Sequence, residues 1–150
     1  MKQQLKALRT RIIIVSTCCL FTLPGCKVTF LPAYNAQLAE QMEATSKAVD
    51  TFYLTMLETT TPVNDGRTYT KFVHQYIAIE VELTSLLNKN TLRPLNANST
   101  RICEITLQLW VKYKQEHKKD NTLSDGAIKL NRKSFRDLFF AMQTAENYKK

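Results

Sequence analysis

A chain of 150 residues, 44% hydrophobic and 23% charged, is long enough for one domain with its own core. The formal net charge is +8, yet only two histidines are present, which rules out a histidine-rich metal centre by supply alone. Three glycines and four prolines leave long polar-apolar patterns unbroken, and such patterns favour helices.

The first residues, MKQQLKALRTR, carry Lys2, Lys6, Arg9 and Arg11 and no carboxylate, and the uncharged run IIIVSTCCLFTL follows. A run of 12 residues falls short of the ~20 that a helix needs to cross a bilayer. A basic start, a short apolar run and a small residue at its end describe a secretory signal peptide. The ending Leu23-Pro24-Gly25-Cys26 resembles the lipobox of bacterial lipoproteins, with Pro24 where the class prefers a small side chain.

The resemblance covers the export signal alone. It implies cleavage before Cys26 and acylation of that cysteine by a thioether-linked diacylglycerol and an N-acyl chain. The chain then divides into a signal peptide (1–25), a lipidated tether (26–31) and one helical domain (32–150). Several acyl chains on one residue hold stably, because each buried methylene contributes ~0.8 kcal/mol. Lys27 is not the aspartate that retains lipoproteins in the inner membrane, so the resemblance implies an outer-membrane anchor facing the periplasm. From Lys27 to Leu31 the tether reaches at most ~17 Å, which keeps the domain close to the lipid.

Removing residues 1–25 takes four of the 21 basic residues and none of the 13 acidic ones, so the net charge falls to +4 and a nucleic-acid partner loses its basis. Cys18 and Cys19 leave as well. With Cys26 lipidated, Cys103 stands alone and is expected as a small buried hydrophobe, intermolecular pairing being the alternative. Lys112, Lys118, Lys119, Lys129, Arg132, Lys133 and Arg136 form a candidate basic face. It is read first as a solvated surface and second as a contact for anionic headgroups or an acidic partner.

The spacing predicts helix one from about Pro32 to Thr59, with Leu38, Met42, Thr45, Val49, Phe52, Tyr53 and Met56 on one face. TTTPVNDGR then breaks the chain. Helix two, Thr68 to Asn88, carries Phe72, Tyr76, Ile79, Leu83 and Leu87. Helix three, Ser99 to Lys119, carries Ile102, Ile105, Leu109 and Tyr113, with Asn98-Ser99-Thr100 capping its start. Cys103, Leu107, Trp110 and Val111 extend its apolar arc beyond what one neighbour can cover. Helix four, Asn131 to Tyr148, uses Phe135, Leu138, Phe139 and Met142, with Ile128 in a preceding turn and Asp125-Gly126 as loop. Connections of about eight to thirteen residues suit an all-α, antiparallel four-helix up-down bundle with helix three most buried. The alternative is a three-helix core with a loosely docked fourth helix.

No nucleophile elbow, zinc-binding helix motif, phosphate loop or haem attachment motif occurs, and no Glu-x-x-His pair supports a di-iron site. The chain is therefore read as a binding protein with no enzymatic activity and no cofactor. Glu80 falls within the apolar arc of helix two, either as a paired carboxylate or as a cavity carboxylate. Phe140, with Leu107, Trp110 and Val111, is a candidate partner surface. His74 is expected in solvent, and His117 is expected to be kept neutral by the lysines around it. The leading expectation is an envelope accessory, pilot or assembly factor, bound to membrane lipid through Cys26 and to an unknown protein partner. The alternatives are a carrier holding a hydrophobic ligand near Tyr76, Trp110 and Glu80, and an exclusion or immunity lipoprotein of a phage or mobile element.

Overall fold

The computed structural model describes residues 31–150; the expected signal peptide, Cys26 and the expected tether as far as residue 30 lie outside the described residues. The described chain is all-helical, without a strand among the described residues. Its long helices are α1 (Ala36–Thr59), α2 (Val73–Thr91), α3 (Ala97–Asp120) and α4 (Asp125–Asn147). Two 3-10 turns, Val63–Asp65 and Tyr69–Lys71, lie between α1 and α2. α1 packs on α4 and α2, and α3 packs on α2 and α4.

The helix ends follow local chemistry that differs from the periodicity reading. α1 starts at Ala36 instead of Pro32, because Asn35 takes an extended conformation and its side chain accepts the Leu38 N–H at 2.9 Å. α2 starts later and runs further, from Val73 to Thr91, since residues 69–71 coil more tightly and nothing stops the helix before Leu92. α3 starts at Ala97. The expected cap is not used there: Ser99 lies inside the helix, and Asn96 at the cap position donates its side-chain amide to Asn90 instead. α4 begins at Asp125, where a loop was expected. The Ser124 hydroxyl accepts the Ala127 N–H at 3.2 Å, and Asp125 in the first turn complements the helix dipole, which together outweigh Gly126. These extensions shrink two connections to Leu92–Asn96 and Asn121–Ser124, well below the expected lengths.

The buried residues of α1 are the seven expected: Leu38, Met42, Thr45, Val49, Phe52, Tyr53 and Met56. α4 sends in Ile128, Phe135, Phe139 and Met142, so it belongs to the core and is not a loosely docked addition. α3 is rotated from the expected stripe. Its buried residues are Ser99, Cys103, Thr106, Trp110 and His117, while Ile105 is exposed. Trp110 is the centre of the aromatic packing, with ring centroids 5.5 Å from Phe52, 5.2 Å from Tyr76 and 5.4 Å from Phe135, one ring from each other helix.

Two tyrosines in this core differ in what their hydroxyls do. Tyr76 donates to Nδ1 of His117 at 3.0 Å, whereas the fully buried Tyr53 hydroxyl makes no hydrogen bond; the neighbouring Asn131 falls outside bonding geometry. Tyr53→Phe should therefore leave thermal stability unchanged or raise it. Tyr76→Phe should cost about 1–3 kcal/mol by orphaning a buried imidazole nitrogen. Thermal melts of the two variants side by side check the contrast.

Candidate functional site

At the end of the fold where α1 begins, a charged cluster is built around a carboxylate shielded from water. Glu146 has no exposed surface. Arg93 grips both its carboxylate oxygens, at 2.8 and 3.0 Å, Lys149 donates to it at 2.7 Å, and the Asn35 N–H donates at 2.8 Å. Arg93 also donates to the Ala33 carbonyl, and Lys149 reaches Asn96 and Ser99. The cluster joins the segment before α1, the α2–α3 connection, α3 and the end of α4. Nearby, Cys103 is buried, accepts from Asn90 at 3.3 Å and touches Met142; burial pushes its thiol up to about 12. A thiol so placed packs as a small hydrophobe.

The opposite end is held by Arg67, only 2% exposed. Its guanidinium donates to the Thr60 and Leu123 carbonyls at 2.7 and 3.0 Å and pairs with Asp125 at 2.6 Å. Gly66 allows the chain to reach this position, because a Cβ there would collide with the Thr61 carbonyl. The Arg67 carbonyl accepts from Nε2 of His117 at 2.8 Å, which fixes the tautomer: Nε2 carries the proton and Nδ1 accepts from Tyr76.

His117 is fully buried, and burial, more than any neighbouring lysine, lowers its pKa below 6.5. In the unfolded chain the imidazole charges more readily than in the fold. His117 is thus expected to contribute stability above pH 6.5 that is lost as pH falls from there through the folded-state pKa. Melting temperatures measured between pH 8 and about 5 should show this loss, and His117→Gln should flatten it.

The expected site residues do not converge. Trp110 is in the core, so it cannot belong to a partner surface; Leu107 and Val111 beside it are half-buried, and Phe140 is 72% exposed on another helix. Phe140 instead borders a shallow recess of about 700 Å³ with Ser46, Lys133, Arg136, Asp137 and Gln143. Tyr76 and Trp110 fill the interior where a hydrophobic ligand was expected, and the Trp110 indole donates to the Tyr76 carbonyl at 3.2 Å.

The basic residues are spread out and partly paired. Arg132 binds both oxygens of Asp50, at 2.7 and 2.9 Å, and this bond is the main cause that holds Asp50 below its ordinary pKa. Lys133 pairs with Asp137 and Lys112 lies 3.9 Å from Glu116. Lys118, Lys119, Lys129 and Arg136 are exposed. Among the described residues no group of three His, Cys, Asp or Glu side chains is placed to hold a metal ion. No described helix is long and apolar enough to cross a membrane.

The surface that sequence reasoning missed lies on α2. Ile77 is 53% exposed, Val81 61% and Leu92 83%. With Thr84 and Asn88 they span about 80° of arc at 100° per residue, nearly opposite the buried Tyr76, Ile79, Leu83 and Leu86. These five line a groove of about 500 Å³, walled by Glu80 and Lys114 on one side and by Ser85 and Lys89 on the other. Glu80 is half-buried and ion-paired with Lys114. It lines this outer groove and no interior cavity. No protein-family model, curated protein or solved structure matches the chain, and its own surface is what function can be read from.

Proposed function

We propose that the protein is a small membrane-anchored lipoprotein, held in the outer membrane by acylated Cys26 and facing the periplasm. It acts by protein–protein binding as an accessory, pilot or assembly factor, without catalysis. Its fold in this reading is an antiparallel four-helix up-down bundle: each helix packs on the next, α1 also packs on α4, and the last two connections are short enough to join antiparallel neighbours.

The groove on α2 carries the binding part of the proposal. Ile77, Val81 and Leu92 remain exposed although the core beneath them is filled; Ile77 and Val81 adjoin, Leu92 lies beyond Thr84 and Asn88, and exposed apolar residues gathered in a groove rimmed by charges support an interaction site. Crosslinking and mass spectrometry of the lipidated protein in its own envelope should join the α2 face, through Lys89, to a polypeptide outside its own fold. Crosslinks that avoid α2 would remove the reading.

The anchor is tested separately. Cys26→Ala should leave the helical domain folded while abolishing lipid labelling and membrane fractionation. Persistent membrane association of that variant would sink the lipid anchor.

A further inference from the structure

The α2 groove is apolar at both ends. About the midpoint between Thr84 and Ser85, Ile77 mirrors Leu92 and Thr84 mirrors Ser85, while Val81 falls opposite Asn88. We infer that the groove's occupant is a second copy of the same chain, laid antiparallel so that Ile77 of each copy meets Leu92 of the other and Val81 meets Asn88. This rests on the reading that the groove binds protein, and it names the partner.

Charge selects the direction. Glu82 and Lys89 are both exposed and leave α2 on the flank next to α1, where Gln41 donates to Glu82 at 3.0 Å and accepts from Lys89 at 2.7 Å. On the other flank Glu80 is matched by Lys114. A two-fold axis crossing the helices sets like flanks together, and at 1.5 Å per residue it brings Lys89 within about 3 Å, along the axis, of Glu82 of the other copy. The pair forms twice. A parallel pairing would instead set the Glu82–Lys89 flank against the Glu80–Lys114 flank of the second copy, where Glu80 already has its cation, and the Lys89–Glu82 pair would not form. Opposite charges that match in one orientation and not in the other set register more than raw affinity.

A single helix pair of this length falls below the ~1,200 Å² of a standard interface, so the association is weak between free molecules. Copies tethered to one membrane meet at far higher local concentration. The antiparallel arrangement places the two chain starts at opposite ends of the pair, which lays the helices along the lipid surface.

The test uses the full-length chain in its native envelope, with a photoreactive phenylalanine analogue in place of Val81. The expected product is an adduct of twice the chain mass, whose crosslinked peptide comes from residues 77–92 of the second copy. Glu82→Lys or Lys89→Glu should each reduce that adduct about tenfold, and the double variant should restore it. Circular dichroism should show undiminished helix in all three. An adduct with a different protein would overturn self-pairing while sustaining the groove as a binding site, and no adduct at all would overturn both. Charge variants without effect, or a gain with Glu82→Lys alone, would overturn the antiparallel register.

Discussion

Glu146→Ala is expected to destabilise the protein by about 3–5 kcal/mol, because it strands two cations in a buried site. A loss of that size lowers the melting temperature by roughly 10–20 °C for a domain of this length. The side chain has no exposed surface, and its partners are shielded too: the Arg93 side chain is 14% exposed and that of Lys149 4%. Glu146→Gln keeps the shape and should fall between wild type and Ala. The same cluster predicts an acid limit. Burial alone would raise the Glu146 pKa, but hydrogen bonds from Arg93, Lys149 and the Asn35 N–H outweigh it and hold the carboxyl below 4.5. The contribution is therefore complete above 4.5 and disappears as pH falls from there through the folded-state pKa, the unfolded chain taking up its proton first. Melts at descending pH should show an acid limb in wild type that is smaller in Glu146→Ala, the part that Asp50 contributes remaining. A variant within about 1 kcal/mol of wild type would refute the claim that the Glu146 carboxylate is shielded from water.

Trp110→Ala should cost a similar amount, about 3–5 kcal/mol, through lost transfer energy and the cavity left among the surrounding rings. It also removes the indole bond to the Tyr76 carbonyl and thereby leaves a buried acceptor without that partner. Trp110→Phe retains one ring and should lose less. Since Trp110 is the sole tryptophan, its fluorescence reports on the wild-type site directly: emission should be blue-shifted in the native protein and move red on unfolding. A surface tryptophan would give the reverse signature, with little change in stability on truncation and red emission from the start.

How far the sequence reveals this fold depends on whether hydrophobicity alone decides each face. For α1 it does, and the seven residues at three- and four-residue spacing are the seven that are buried. For α3 it does not. Ser99, Thr106 and His117 are buried because each finds a partner: Ser99 meets Lys149, the Thr106 hydroxyl bonds back to Ile102, and His117 meets Tyr76 and Arg67. Periodicity has no access to those partners, so the stripe is read one arc away, and Trp110 falls in the surplus. Arg67 and Glu146 are invisible for the same reason, since charged residues read as solvent-facing until a counter-charge 58 or 53 positions along the chain is brought beside them. The α2 groove left a readable signal. Ile77 and Val81 sit off the Tyr76–Ile79–Leu83 stripe, so α2 is apolar on two faces while one suffices for the core.

The cluster around Glu146 also determines how the domain bears a mechanical load. The chain ahead of α1 is fastened at two points, the Ala33 carbonyl to Arg93 and the Asn35 N–H to Glu146. A pull applied upstream of Ala33 therefore loads these two bonds ahead of the first turn of α1. It is divided between the α2–α3 connection, through Arg93, and the last turn of α4, through Glu146. In the proposed lipid-anchored state, where load enters from that side, the force would reach three elements of the fold together instead of one helix turn.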